Sequence, residues 1–104
     1  MLDVLREQEN RNLNRLGDEV ERLVKVQMPF YLGCIGHGGT EEAERAMDSD
    51  LNSLFVQGKL KMYRVRAEHD TAADWYKLEW VYKTSHQIVL RTFTHVVSAE
   101  QVRL

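Results

Sequence analysis

The residues able to do acid–base or metal chemistry are few and scattered along this chain. Cys34 and His37 have the spacing of a ligand pair, and three further histidines lie at positions 69, 86 and 95. A structural zinc site usually needs paired Cys or His motifs, and one pair is too few. Cys34 would act as a nucleophile only with a base such as His37 held beside it. We therefore predict no catalytic residue, no metal and no cofactor.

A glycine-rich segment, Gly36-His37-Gly38-Gly39-Thr40, precedes a predicted helix and superficially resembles a phosphate-binding loop. Such a loop needs a lysine beside its final Ser or Thr to meet the phosphate charge. Glu41 and Glu42 occupy that place here and would repel an anion. The segment is better interpreted as a connector whose glycines allow positive φ.

Cations and aromatic residues alternate in the second half of the chain, and stacking aromatics beside cations on a sheet can bind RNA. The alternation of strand side chains favours a plainer interpretation, in which the aromatics point inward and the cations outward. Nucleic-acid contact remains the alternative function. Its candidate residues are Lys61, Arg64, Arg66, Lys77, Lys83 and Arg91.

Three segments resemble in character the sheet of RelE-type ribosome-dependent toxins: Tyr63-Arg64-Val65-Arg66, Trp80-Val81-Tyr82 and Ile88-Val89-Leu90-Arg91. That resemblance implies two helices before an antiparallel sheet and an RNA-cleaving activity. The chain departs from the family by beginning with a long helix where that family has a strand, and by its acidic net charge. We do not assign it to that family.

Composition is typical of one globular domain, residues 1–104. Hydrophobic residues make up 43% and charged residues 29%, which are ordinary proportions. No apolar run could span a membrane, and no secretory signal pattern is present. The single cysteine cannot form an internal disulfide and suits a reducing compartment, so we expect a cytoplasmic protein.

The net charge of −2 divides unevenly between the two halves of the chain. Residues 1–58 carry 6 Lys/Arg against 11 Asp/Glu, whereas residues 59–104 carry 8 against 5. The two halves can attract one another within one fold, or the basic half can meet an acidic partner or nucleic acid. The negative charge is too small for a mimic of DNA.

Apolar residues recur every three or four positions near the N-terminus, which predicts an amphipathic helix over residues 3–27. Pro29 is expected to end it, because the residue before a proline avoids the helical conformation. Residues 30–35 then predict a short extended segment and residues 36–39 a loop. A second apolar stripe predicts a helix over residues 41–57, with Thr40 as its N-cap.

Aromatic and β-branched residues dominate residues 60–67, 74–83 and 87–97, with turn signals between them. Short connections make these segments a three-stranded antiparallel meander. The predicted fold class is therefore α+β, with a long N-terminal helix, a short extended segment, a second helix and the meander.

The second hairpin can be assigned a register if residues 84–87 form its turn. Trp80 then faces Arg91, Leu78 faces Phe93 and Tyr82 faces Val89. Trp80, Leu78 and Phe93 are predicted to be core residues on one face. The guanidinium of Arg91 is predicted to lie over or beside an aromatic ring.

Two apolar surfaces lack a cover within this predicted fold. The first helix is several times longer than the width of three strands, which is about 10 Å, and the second sheet face keeps further apolar residues. Two-fold pairing would bury both surfaces, and so would a foreign protein. The candidate interface residues are Leu2, Leu5, Leu13, Leu16, Val20, Ile88, Leu90 and Val96.

We therefore expect a small intracellular, non-enzymatic protein that acts by binding another protein, as an inhibitor or adaptor does, and that forms a homodimer. The alternative is an RNA-binding protein or small ribonuclease that uses the basic, aromatic-rich sheet.

Overall fold

A computed structural model describes the backbone of residues 2–102 and the side chains of residues 19–102. The chain forms two long helices followed by a three-stranded antiparallel sheet and one short helix. The predicted α+β class and order of the main elements are confirmed. The predicted interface residues Leu2, Leu5, Leu13 and Leu16 lie outside the described side chains.

Helix α1 runs from Leu2 to Gly38, so the predicted end before Pro29 is wrong. The predicted extended segment over residues 30–35 and most of the predicted loop are helical as well. An interior proline costs a helix about 3 kcal/mol, and burial of one large apolar side chain returns about 1.5–3 kcal/mol. The helix continues because its buried stripe continues through Met28, Tyr31, Cys34 and Ile35.

Helix α2 spans Thr40–Val56 and buries the predicted stripe, Ala43, Met47, Leu51 and Leu54. Its N-cap is Gly39 rather than the predicted Thr40. Gly39 has φ of +82°, a conformation that glycine adopts without steric cost. This residue alone separates α1 from α2. The two helices therefore meet at a sharp break and not at a loop.

Three strands follow, β1 (Leu60–Asp70), β2 (Trp75–Thr84) and β3 (Arg91–Ser98), and a short helix α3 (Ala99–Val102) ends the described chain. The sheet order is β1-β2-β3 and both pairings are antiparallel, as predicted. β2 therefore lies in the middle, and β1 and β3 form the two edges. The strand order matters for function because each edge presents main-chain groups that no third strand pairs.

The predicted register of the second hairpin is wrong by two residues. Trp80 faces Phe93 and Leu78 faces His95, while Arg91 faces Tyr82 instead of Trp80. The connection is longer than predicted because β2 ends at Thr84 and β3 begins only at Arg91. The N–H of Ser85 donates to the carbonyl of Lys59 at 3.2 Å, which continues the pairing of β1 with β2. An even shift keeps every side chain on its predicted face. It nevertheless removes residues 88–90 from the sheet.

One face of the sheet packs under the helices, and its centre is the predicted core. Trp80 and Leu78 are fully buried, as predicted, and Phe93 is half-buried against the same cluster. The Trp80 ring lies 5.8 Å from the ring of Tyr31 on α1. Val20, a predicted interface residue, is 2% exposed and belongs to this core. Val20 is therefore used within the chain and is not available to a partner.

Candidate protein-binding surface

The cysteine and the histidines considered above as ligands or as a nucleophile lie in different environments. Cys34 and His37 lie on α1, where Cys34 is buried and His37 is exposed. Burial, followed by the charge of Glu42, raises the pKa of the Cys34 thiol and disfavours the nucleophilic thiolate. Among the side chains that the structure describes, no three His, Cys, Asp or Glu are arranged to hold a metal ion.

His69 has a structural environment on β1. Its ring stacks on Tyr76 with a centroid distance of 4.3 Å, and its Nε2 lies 3.2 Å from Oδ1 of Asp74. These contacts join the two strands close to their connecting turn, residues 71–74. The other two histidines of the second half lie apart, His86 in the β2–β3 loop and His95 on β3. The described histidines therefore form no common site.

The cations proposed for nucleic-acid contact are divided among different surfaces. The outer sheet face, opposite the helices, carries Arg64, Arg66, Lys77 and Lys83. Lys61 lies at an irregularity of β1, and Arg91 faces Tyr82 on the helix-facing side. Two of the outer cations have acidic partners on their own strand, with N···O distances of 2.6 Å for Arg66–Glu68 and 3.9 Å for Lys77–Glu79.

The aromatic residues needed for base stacking lie mainly on the opposite face of the sheet. Tyr63, Tyr76, Trp80 and Tyr82 share the helix-facing side, and Trp80 and Tyr82 are fully buried. Trp75 lies on the outer face and is half-buried. The cations and most of the aromatic rings are thus separated by the thickness of the sheet, which follows from ordinary strand alternation.

Among the side chains that the structure describes, the most exposed apolar segment is the end of the β2–β3 loop. Ile88, Val89 and Leu90 are 89%, 73% and 53% exposed. Sequence reasoning missed Val89 because the predicted register placed it opposite Tyr82 on the covered face. A run of three exposed apolar side chains is unusual on a monomer surface and is typical of an interaction site. We call residues 88–90 the apolar loop.

The apolar loop leads directly into the open edge of the sheet, β3. Val96 on the outer face of this strand is 58% exposed and adds to the apolar surface. The other outer-face residues of β3 are Thr92, Thr94 and Ser98, all exposed and uncharged. The three interface residues predicted in the second half, Ile88, Leu90 and Val96, therefore lie along one edge of the molecule.

The direction of the main-chain groups on β3 follows from hydrogen bonds outside the ladder. The N–H of Ala67 donates to Oε2 of Glu44 at 3.1 Å, so it points away from β2. Successive residues of an antiparallel strand direct their main-chain groups to opposite sides. When this alternation is followed from Ala67 through both strand registers, the N–H and C=O of Thr94 point away from β2. Ser98 lies four residues after Thr94 and should therefore point to the same side. Its N–H does point away from β2, because it donates to Oε1 of Gln101 at 3.3 Å.

The other edge, β1, is closed by α2. Oε2 of Glu44 accepts a hydrogen bond from the N–H of Ala67, and the hydroxyl of Tyr63 donates to Oδ1 of Asn52 at 3.2 Å. Partial burial, followed by the charge of Asp48 and a hydrogen bond with it, raises the pKa of the Tyr63 phenol. An open cavity of about 490 Å³ lies along this edge between charged side chains. Its lining residues are Glu41, Glu44, Arg45, Asp48, Tyr63, Arg64 and Val65.

A second apolar patch lies on the outer surface of α1. Val26 and Phe30 are 71% and 57% exposed and stand four residues apart, so they share one helical face. This patch is separate from the apolar loop in sequence and in secondary structure. It serves below as a control surface of similar chemistry.

No described helix is both long enough and apolar enough to cross a membrane. Comparison with protein-family models, curated proteins and solved structures finds no match to this chain.

Proposed function

We propose that this protein acts without catalysis, by binding another protein through the edge formed by the apolar loop and β3. The observation that carries the proposal is the exposure of Ile88, Val89 and Leu90 beside a strand with free main-chain groups. Apolar side chains supply affinity when they leave water, and an open strand edge supplies directional hydrogen bonds.

The described side chains support a binding role better than a catalytic one. Cys34 is buried with a raised pKa, and the described histidines are dispersed. An inhibitor or adaptor needs only a complementary surface, which a small domain can present. A reducing, cytoplasmic setting fits the free and buried thiol of Cys34.

The alternative function, RNA binding or cleavage, draws support from Arg64 and Lys83 on the outer sheet face. The opposite placement of most aromatic rings weakens it, because bases would find only Trp75 on that face. Purified protein that carries nucleic acid, detected by its ultraviolet absorbance ratio, would favour this alternative.

The test compares a variant of the apolar loop with a control variant of the apolar patch on α1. The first replaces the loop residues by serine (Ile88→Ser, Val89→Ser, Leu90→Ser), and the control replaces the patch on α1 (Val26→Ser, Phe30→Ser). Each tagged protein is cross-linked in its native cell, purified and analysed by quantitative mass spectrometry, with a differently tagged copy present to report self-association.

The proposal predicts that a specific set of cross-linked proteins, the second copy included, is lost from the loop variant and kept by the control. Far-ultraviolet circular dichroism must first show that both variants are folded. An unchanged set of cross-linked proteins in the loop variant would contradict the proposal.

A further inference from the structure

The β3 edge has few of the features by which natural proteins protect an edge strand, because its only Lys or Arg, Arg91, is the first residue of the strand. Such edges usually carry charges, a proline or a bulge that prevents pairing with another chain. The outer-face residues of β3, Thr92, Thr94, Val96 and Ser98, are uncharged, and the register with β2 is continuous. β1 has a register irregularity between Leu60 and Met62, outer-face charges and the side chain of Glu44. The β1 edge therefore carries protective features that the outer face of β3 does not.

Three residues of β3, Thr92, Thr94 and Val96, direct both main-chain groups away from β2. In the part of the chain that the structure describes, no third strand pairs with them. Ser98 marks the end of this open stretch, because Gln101 already accepts from its N–H. The open stretch is thus centred on Thr94.

The sequence of β3 is complementary to itself when a second copy runs antiparallel. With the two-fold axis at Thr94, Thr92 faces Val96 of the other copy and Phe93 faces His95. Arg91 faces Val97 of the other copy, so the two Arg91 side chains do not face each other. Thr–Thr and aromatic pairs are among the favourable cross-strand neighbours.

Only this register uses the whole open stretch. An axis at Thr92 would require Leu90, which precedes β3, and an axis at Val96 would require Ser98, whose N–H is engaged. An axis at Phe93 or at His95 gives only two facing pairs of open residues. With the first axis Val96 would face Leu90, and with the second Thr92 would face Ser98, whose N–H is engaged. The axis at Thr94 gives three facing pairs, each with two main-chain hydrogen bonds.

We propose that the occupant of the β3 edge is a second copy of this chain, paired antiparallel about Thr94 to give a six-stranded sheet in the order β1-β2-β3-β3-β2-β1. The inference rests on the proposed protein-binding function and names its partner. Ile88 and Leu90 adjoin the N-terminal end of each β3, so they flank the paired strands. Symmetric pairing uses the same patch on both copies and therefore closes at a dimer.

Engineered disulfides test both the partner and the register. In a Cys34→Ser background, Thr94→Cys should cross-link to its own copy on mild oxidation, because facing Cα atoms in a strand pair lie within disulfide range. Thr92→Cys alone should remain uncrosslinked, whereas a mixture of Thr92→Cys and Val96→Cys proteins should cross-link to each other. Equal self-cross-linking of Thr92→Cys and Thr94→Cys, or none at either, would overturn the register.

Charge variants test the same pairing without a cysteine. Thr94→Lys places two ammonium groups across the axis and should weaken dimerisation on the order of five- to tenfold. Thr94→Glu should weaken it similarly, and an equimolar mixture of the two should recover a dimer seen by sedimentation velocity. Thr94 is exposed on an outer face, so both variants should fold alone. A mixture that stays monomeric would overturn the inference.

The failure of this inference is distinguishable from failure of the proposed function. If the protein remains monomeric and the loop variant no longer cross-links a foreign protein, the proposed function stands. The second copy is then not the partner. A dimer that forms without the Thr94 cross-link refutes the β3 pairing. A monomer whose cross-linked proteins are the same in the loop variant refutes both.

Discussion

The two edges of the sheet differ in what lies beside them: α2 contacts β1, and no described strand pairs with the outer side of β3. β1 is joined to α2 by hydrogen bonds from the hydroxyl of Tyr63 and from the main-chain N–H of Ala67 to side chains of α2. The rings of Tyr63 and Phe55 also lie 5.9 Å apart, measured between centroids. β3 has β2 on one side and directs the main-chain groups of Thr92 and Thr94 outward on the other. The same three-stranded architecture therefore has one edge that packs against α2 and one edge that no described strand pairs.

Under the proposed function, stability and binding belong to separate parts of this small domain. Residues that connect the sheet to the helices should govern the free energy of unfolding. Residues of the apolar loop and β3 edge should govern association and leave the unfolding of the single chain nearly unchanged. The following substitutions test this division, beginning with the largest expected effect.

Trp80→Ala should destabilise the protein by about 3–5 kcal/mol, because it empties a fully buried aromatic site. Trp80 lies on the central strand and contacts the rings of Tyr31 and Phe93. Urea unfolding followed by circular dichroism measures the change. Trp80→Phe is the matched control and should cost less, since it keeps a ring and removes an indole N–H that finds no acceptor among described residues. A loss below about 1 kcal/mol for Trp80→Ala would refute its core role.

Leu51→Ala and Leu90→Ala remove the same atoms from the two parts of the molecule. Leu51 is fully buried on α2, so its loss should cost about 2–5 kcal/mol. Leu90 is 53% exposed, so its loss should change the free energy of unfolding by less than about 0.5 kcal/mol. Urea unfolding at low protein concentration compares the two. Similar costs would show that the apolar loop belongs to the core.

Tyr31 should make the stability of the protein fall at alkaline pH. Burial, followed by the hydrogen bond to Asp50 and its charge, raises the pKa of the Tyr31 phenol. The folded protein then keeps the proton while the unfolded chain ionises, so stability present at neutral pH is lost above about pH 10, by up to about 1.4 kcal/mol per pH unit.

Tyr31→Phe should flatten this alkaline decline, because phenylalanine does not ionise. At neutral pH it should cost about 1 kcal/mol, since the hydroxyl donates to Oδ2 of Asp50 at 2.6 Å. Unfolding curves measured across alkaline pH compare the variant with the unaltered chain. Parallel declines in the two proteins would show that Tyr31 is not the responsible group.

Glu44→Ala should have a smaller effect, about 1 kcal/mol, because it removes one hydrogen bond from the β1 edge and leaves the N–H of Ala67 to water. Thermal unfolding at matched concentration measures the loss. Glu44→Gln is the control, because its amide oxygen can still accept from that N–H. Equal losses in the two variants would show that the charge of Glu44, and not the hydrogen bond, supports β1.

The sequence was informative where hydrophobic periodicity decides the structure. The stripe of α2, the three strands and the inward placement of Trp80 all follow from spacing. The end of α1 was mispredicted because a local signal, Pro29, was given more weight than the buried positions beyond it. Tyr31, Cys34 and Ile35 continue the helical spacing, so a signal that could have corrected the prediction was present.

The candidate site was harder to predict because it depends on contacts distant in sequence. After Thr84 the chain contacts the start of β1, where Ser85 hydrogen-bonds to the carbonyls of Gly58 and Lys59. Nothing near Ser85 in the sequence reveals those contacts or shows that β3 begins only at Arg91. The openness of β3 likewise depends on strand order and on the direction of its N–H groups, which composition does not specify.

The most direct test of the account is amide hydrogen exchange at single residues, measured by nuclear magnetic resonance in dilute and in concentrated protein. Pairing of β3 with a second copy predicts that the amides of Thr92, Thr94 and Val96 become protected as concentration rises. The amide of Val65, on the other sheet edge, should exchange at the same rate in both samples. Exchange at Thr92, Thr94 and Val96 that is fast and independent of concentration would contradict the account.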